Sequence, residues 1–410
     1  MGNTTLKPDK ITLKALDILH AKLNFIGSIN RTYDNQFAQT GGKIGESLRI
    51  RLPIKVQTRT GAVLNVQDTT EKSLTLTQAT QKGVDMNFST RELTMDIDDF
   101  SQRYLEPAMS QLASEIEYDA LSMVYDVYNT VGTFGTIPAA LAPFLSAKTK
   151  LNQYLAPRDN ARTALIDSAT SGAMVEGLKA LFNDSSQLSM QYKEGILGRT
   201  AGFTFAENDL LPVLTNGTRT GSITINGAAP TGATINLKAM GSGTTIAKGE
   251  VFTIAGYYAV HPETKAPYSH LQQFVVTEAA TASGTTLTGL KIAPEIITSG
   301  AYQNVTGTPG SDAVVIFNGG AATGGVADST ASASLLYGQN VCYQKNAFAF
   351  VSADLEMPEG VHFAARKVVD NISMRIVRQY DINNDQIPCR IDVFYGYKTI
   401  RPELACRVTK

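Results

Sequence analysis

The chain has 410 residues, 43% of them hydrophobic, which is enough for two or three domains with cores of their own. Lys and Arg (36) nearly balance Asp and Glu (37), the formal net charge is −1, and no run of basic residues occurs, all of which speaks against direct, tight nucleic-acid binding. Charged residues make up 18%, below the usual quarter, as expected where part of a surface meets protein rather than water.

The three cysteines, Cys342, Cys389 and Cys406, are odd in number and not at metal-site spacing, so reduced, buried thiols are expected. The start "MGNTTLKPDKITLKALDIL" lacks a charged segment followed by an apolar one, so no secretory signal is expected. Leu6 stands where N-myristoylation needs Ser or Thr. No run of 18 apolar residues is present to cross a membrane.

Residues 9–24 predict an amphipathic helix with Ile11, Ala15, Leu16, Ile18, Leu19 and Leu23 on one face, between Pro8 and Gly27. Residues 36–78 alternate polar and apolar positions, Leu48, Ile50 and Leu52 with Arg49 and Arg51, and turn back near Thr60-Gly61. A long two-stranded excursion follows from this, and such a hairpin is stable only against other structure. "MDIDDFSQRYLEPAMSQLASEIEYDALSMVYDVYN" predicts a short helix and then a long one from near Glu106. Asp96, Asp98 and Asp99 suit a helix start, and Pro107 suits a first turn. Twenty-odd helical residues would make a rod of roughly 30–35 Å. Residues 136–212 mix short strands ("RTALIDSA") with a helix ("SGAMVEGLKALF") in an α+β pattern. Residues 213–330 are rich in Thr, Gly and Ala. The strands "SITING", "EVFTIAGYYAV", "LQQFVVTEA" and "AVVIFNG" there predict an all-β module inserted with its ends close together. Residues 331–410 return to mixed structure and end in a hairpin, "RIVRQYDINNDQIPCRIDVFYGYKTIRPE".

No catalytic constellation emerges. The four histidines (His20, His261, His270, His362) are scattered, and HExxH, GxSxG, Walker A and strand-borne GxGxxG patterns are absent from the sequence. "DIDD" at 96–99 reads as helix capping rather than a cation site. "DINNDQIPCRID" at 381–392 imitates a calcium loop, but it has Gln386 where Gly is required and Asp392 where Glu belongs. Its flanks are strand-like, so it reads as a hairpin tip. A chain without a site, carrying a long hairpin and a long helix, points to assembly.

The order of parts resembles the major capsid proteins of tailed phages, with their HK97-like fold. The β insertion narrows this to the coat-protein family typified by phage P22. "ELTMDIDDFSQRYLEPAMSQLASEIE" is similar to the family's acidic, Pro-interrupted helix start, and Arg401-Pro402-Glu403-Leu404 to its terminal strand. "VFTIAGYYAVHPETK" with "LQQFVV" is similar to its barrel-like insertion. The resemblance covers essentially the whole chain. It implies an α+β fold with an N-terminal arm (1–35), an extended loop lying over a neighbouring subunit (36–78) and a peripheral domain with the spine helix (79–135). An axial domain (136–212), the inserted β domain (213–330), an axial return (331–365), and a peripheral hairpin with the C-terminal strand (366–410) would follow.

The implied function is a major capsid protein, not an enzyme. It would form pentamers and hexamers of an icosahedral, non-covalent shell around double-stranded DNA, through a scaffolded procapsid made in the host cytoplasm. The implied partners are further copies of itself, a scaffolding protein and a portal, with DNA touched weakly and without sequence specificity. No cofactor, metal ligand, catalytic residue or membrane contact is implied. Candidate intersubunit contacts are Arg375, Arg378 and Arg390 against Asp381 and Asp385 at the hairpin tip. In the extended loop they are Lys55, Arg59 and Glu71, facing Asp98 and Asp99 of a neighbouring spine helix. The rival readings are a tail-tube or decoration subunit, against which the spine helix counts, and a glycan-acting enzyme with a β module, which would need two converging carboxylates.

Overall fold

The computed structural model describes residues 23–32, 47–64, 66–68, 71–89, 106–178, 198–219, 222–318, 336–369, 372–384 and 386–410. Most of the N-terminal arm with its expected helix, the short helix before Glu106, and the Gly-rich exit of the insertion lie outside the described residues. In chain order, helix α1 (Asn24–Ser28) leads to strands β1 (Ser47–Arg51), β2 (Ser73–Thr77) and β3 (Thr80–Ser89), then to helix α2 (Glu106–Leu121). Next come β4 (Thr130–Gly132), α3 (Ala142–Gln153), β5 (Arg162–Ile166), α4 (Ser168–Leu178), β6 (Arg199–Thr200), β7 (Phe203–Glu207) and β8 (Val213–Thr215). The strands β9 (Thr224–Ile225), β10 (Gly232–Lys238), β11 (Thr245–Ile246), β12 (Val251–Val260), β13 (Pro267–Val276), β14 (Ala280–Thr281), β15 (Thr286–Ile296), β16 (Val305–Thr306) and β17 (Val315–Phe317) follow. The chain closes with β18 (Leu336–Gln344), β19 (Phe348–Ala353), β20 (Phe363–Val369), β21 (Ile372–Arg378), β22 (Gln386–Thr399) and β23 (Ala405–Thr409).

Two compact units divide the chain. The first takes the described parts of Met1–Arg51, Ser73–Leu121 and Phe348–Ile400; the second takes Leu52–Lys72, Ser122–Ala347 and Arg401–Lys410. In the first, the long β22 is the organising strand. It pairs antiparallel with β3, β19 and β21, and β20 extends the sheet beyond β21. Helix α2 begins as its sequence demands, with Pro107 in the first turn, where the missing N–H costs no hydrogen bond. Its α-helical part spans 16 residues, about 24 Å at ~1.5 Å per residue, and is shorter than the rod expected from the sequence. From Ser122 to Asp126 the chain winds as a tighter 3-10 helix that buries Met123 and Val124.

The buried face of α2 carries Met109, Leu112, Ala113, Ile116 and Ala120, and among them the buried Glu117, whose Oε1 accepts the Phe25 N–H at 2.7 Å. That bond, with the buried Leu23, Phe25, Ile26 and Ile29, anchors the segment before Asn30. Phe25 meets Phe348 edge-on at 5.5 Å, and Asn30 bridges to Ala349. Gly27, expected to stop a helix, lies inside α1. On the other flank of α2, Lys82 donates to Glu115 (2.9 Å) and reaches Asp119 (2.9 Å), while the Tyr395 hydroxyl donates to Asp119 at 2.6 Å. Strand β2 also passes close over β22, because Gly396 has no side chain. A Cβ there would stand 2.4 Å from the Thr77 carbonyl oxygen.

In the second unit, one sheet runs β4-β23-β18-β5-β7-β6, with β8 on β18. Helix α4 is capped by Asp167, whose carboxylate accepts the Thr170 N–H at 3.4 Å and the Thr170 hydroxyl at 2.5 Å. The thiols of Cys342 and Cys406 face each other across β18 and β23. Both are fully buried, and burial pushes both pKa values up, Cys406 to about 12, so they stay protonated.

The inserted strands make a second sheet, β16-β12-β13-β15-β10-β9 with β17 on β12, around Phe252, Phe274, Phe317, Ile254 and Leu290. Strand β15 has no counterpart in the sequence expectation: Gly289 and Pro294 punctuate "TLTGLKIAPEI" like a loop. Pairing also divides the chain at points other than the expected boundaries. β8 belongs with β18 rather than with the insertion, β19 pairs with β22, and β23 pairs with β18. Tight 3-10 turns at Lys345–Ala347 and Pro402–Leu404 stand near the two latter crossings.

Two outcomes follow. Gly396→Ala, pressing on backbone that cannot move aside, is expected to lower unfolding free energy by ~1–3 kcal/mol in denaturant titration. Gly172→Ala, on open helix surface with nothing within 4 Å, is expected to raise it by ~0.5–1 kcal/mol. The half-buried His270 ring stacks on Tyr268 at 5.4 Å, and burial together with nearby Lys150 lowers its pKa from the ordinary 6.5 to about 4. The unfolded chain therefore binds a proton below pH 6.5 that the folded chain refuses until about pH 4, so this contribution to stability is full above pH 6.5 and fades as the pH falls through that window. His270→Phe should show a smaller fall in melting temperature than the parent between those pH values; equal falls would contradict the assignment.

Candidate functional site

The chemistry-bearing features with open surface are the loop between β1 and β2 and the turn between β21 and β22. The first begins as an antiparallel ladder, Ser47 opposite Thr77 through Arg51 opposite Ser73. The ladder does not continue along the whole excursion. Leu52 N–H still donates to the Lys72 carbonyl at 2.9 Å, but Pro53 has no N–H to offer. Farther out, among the described residues, a side chain joins the limbs: Gln67 accepts the Gln57 N–H (2.9 Å) and donates to the Gln57 carbonyl (2.6 Å). Arg59 folds back on the turn, donating to the carbonyls of Gly61 and, at 3.1 Å, Val63. Val63 (84% exposed), Leu64 (76%) and Val66 (78%), with Ile54 and Val56, hold large apolar side chains in solvent. So dense a patch on a short segment marks a surface meant to be covered.

Lys55 lies with its ammonium 5.8 Å from the centre of the Tyr302 ring, and Lys72 lies over the same ring at 4.8 Å. Lys72 also forms an ion pair with Glu295. Glu71 is exposed beside it. Asp98 and Asp99, the expected partners on a neighbouring helix, lie outside the described residues.

The turn after β21, described over 379–384, is shaped by Asp381, whose carboxylate accepts the Asn383 N–H at 3.0 Å and the Asn384 side-chain amide at 2.7 Å. Its own N–H donates to the Gln386 carbonyl at 2.8 Å. These bonds hold the Asp381 carboxyl below its usual pKa. The segment that imitates a calcium loop is therefore a hairpin turn; Asp385 lies outside the described residues. Ile382 is 79% exposed at the tip.

The three arginines are engaged within the chain. Arg375, opposite Asp392 in the β21–β22 register, donates to it at 2.8 Å and to the Glu356 carbonyl at 2.6 Å. Arg390, opposite Asp85 in the β22–β3 register, grips both its oxygens at 2.8 and 3.0 Å and holds its carboxyl below the usual range. Arg378 stacks its guanidinium over Phe363 at 5.1 Å.

Sequence reasoning missed Asp85, Asp392, Glu295, Lys72 and Tyr302. The alternation in "TQKGVDMNFS" carries the signal for Asp85. Glu295 and Tyr302 come from a segment that reads as punctuation, so nothing local points to them.

The model of the family described as "P22 coat protein - gene protein 5" matches residues 30–407. No curated protein matches the chain. Among solved structures, that of Mycobacterium phage Che8 is 11% identical, covering 93% of this chain and 89% of that one, with a TM-score of 0.47. The capsid of cyanophage P-SCSP1u is 10% identical over 89% and 83%, with a TM-score of 0.43. The coat protein I-domain of CUS-3 is 26% identical over 24% of this chain and 97% of its own, with a TM-score of 0.19. The family match spans nearly the whole described chain, and the chain belongs to the P22 coat protein family, the major capsid proteins of tailed phages.

Proposed function

We propose that this major capsid protein assembles as pentamers and hexamers into an icosahedral, non-covalent shell around double-stranded DNA, through a scaffolded procapsid in the host cytoplasm. The observation that carries the reading is the open apolar surface at residues 54–66. A coat protein whose loop holds Val63, Leu64 and Val66 in water is unfinished as a monomer, and a second copy is the partner that every subunit meets. Residues 36–78 then serve as the extended loop over a neighbour and 213–330 as the inserted domain. The spans 79–135 and 366–410 serve mainly as the peripheral domain, and 136–212 with 331–365 mainly as the axial one. A scaffolding protein and a portal are the further partners. The net charge of −1 fits a shell that touches its DNA weakly.

The turn at 379–385 is the second contact, placed between capsomers. Since Arg375 and Arg390 already hold carboxylates of their own chain, Arg378 and the tip itself, Asp381 with exposed Ile382, carry the contact.

Electron microscopy with sedimentation of the protein, expressed with and without the neighbouring phage genes, tests the reading. Closed shells, or shells mixed with spirals, support it. Small soluble species under both conditions overturn it. Deleting residues 56–64 is expected to leave a folded subunit that closes no shells, and normal shells from that variant would remove the loop from the account. Asp381→Arg is expected to give malformed shells from a folded subunit. Asp381→Asn keeps an oxygen for the Asn383 N–H, so it separates the loss of charge from the loss of the turn.

A further inference from the structure

From the contacts at the root of the extended loop, we infer that the inserted β domain is also a clamp that sets the direction of that loop within the subunit, by holding both limbs against one tyrosine ring. Tyr302 receives Lys55 from the outgoing limb and Lys72 from the returning limb, and Glu295 fixes Lys72 by an ion pair. An aromatic face attracts cations through its quadrupole, so one ring gathers two lysines that would otherwise repel each other.

The ring is itself well placed to act as an anchor. Its segment, between β15 and β16, is braced by Asn304, which accepts the Ile297 N–H at 3.0 Å and donates to the Glu295 carbonyl at 2.7 Å. Lys265 adds a bond to the Gln303 carbonyl at 3.2 Å and one to the Pro262 carbonyl at 2.7 Å. The loop side of the clamp sits where the backbone ladder has just ended, at the Leu52–Lys72 hydrogen bond. Past this point, among the described residues, the Gln57–Gln67 pair joins the limbs. A hinge is therefore expected at 52–55 and 71–72, and the clamp spans it. Because its contacts are ionic and partly exposed, the clamp weakens with salt.

The test uses the full-length, unassembled subunit, so its outcome is independent of whether shells form. Trypsin cleavage after Lys55, whose side chain the Tyr302 ring engages, reports how often the loop swings free. Tyr302→Leu is expected to speed that cleavage about two- to fivefold, the scale of a partly exposed cation–π contact. Tyr302→Phe, which keeps an aromatic face, should leave it near the parent rate. Glu295→Lys should speed it likewise, and adding Lys72→Glu should restore part of the protection, an exchange that a general loosening of the β domain would not reproduce. Raising the salt should narrow the difference between parent and Tyr302→Leu. Unchanged cleavage in both Tyr302→Leu and Glu295→Lys overturns the clamp. Should Glu295→Lys unfold the module, the Tyr302 pair alone decides.

Discussion

Large apolar side chains held in water on residues 54–66 are the constraint to which the rest of the subunit answers. Fully burying one Val, Leu or Ile is worth ~1.5–3 kcal/mol, so a flexible strap carrying several of them would fold back onto its own protein. Stiffness at the root prevents this. In the first unit the β1–β2 ladder fixes both limbs in register, with Ile50 and Leu76 buried beneath it. The same unit lets β2 approach β22 at Gly396, where any side chain would push the root away. In the second unit the limbs meet Tyr302. The energy left unsatisfied on the loop is then available to a neighbour.

Attachment of the inserted domain rests on a different kind of interaction. Arg219 and Glu250 form an ion pair with no exposed surface on either side chain. Desolvating two charges costs several kcal/mol each, so such a pair stabilises little unless the remaining polar atoms are served as well. Glu250 is served, accepting the N–H groups of Gly217 and Ala247 at 2.7 and 2.8 Å, whereas the Arg219 guanidinium lies 4.5 Å over Phe317 with its nitrogens lacking, among the described residues, hydrogen-bond acceptors beyond the ion pair. The entry of the insertion, the turn before β12 and its last strand, β17, are thereby drawn to one point. The described ends of the insertion, Arg219 and Phe317, therefore lie together. The pair contributes geometry more than stability, and breaking one side would leave a buried charge without its partner.

The parts legible in the sequence were those written in local periodicity or punctuation. Pro107 and the spacing of Met109, Leu112, Ile116 and Ala120 marked α2, and the polar run at 381–386 marked the turn before β22. What was not legible depends on register. In the sequence Arg375 and Arg390 look like tip charges seeking partners on another subunit, because nothing in "RIDVFYG" says that Asp392 sits opposite Arg375, or that Asp85, about three hundred residues upstream, sits opposite Arg390. The same limit hid Tyr302, which matters only because the loop root comes to lie beside it. The end of α2 was misjudged for a related reason: the apolar spacing runs on through Met123 and Val124, and a 3-10 turn buries them as well as an α-turn would.

Those in-register arginine pairs also bear on the role proposed for the hairpin. A slip of one residue would turn every side chain of a strand to the opposite face. With Arg390 gripping Asp85 and Arg375 gripping Asp392, a slip of β3 would separate the first pair, a slip of β21 the second, and a slip of β22 both. The exposed Arg390–Asp85 pair is worth little alone, ~0–1 kcal/mol, and Asp392 is buried, so a wrong register costs the broken pair, a buried carboxylate left without its partner where β21 or β22 slips, and the apolar side chains turned outward. The in-chain charge pairs therefore help to fix the register of the hairpin, and its short turn carries Asp381 and Ile382 at the surface. In the proposed shell that division has a use. A rigid tip repeats the same angle at every copy, whereas a contact small enough to break lets a misplaced subunit leave before the shell closes around it.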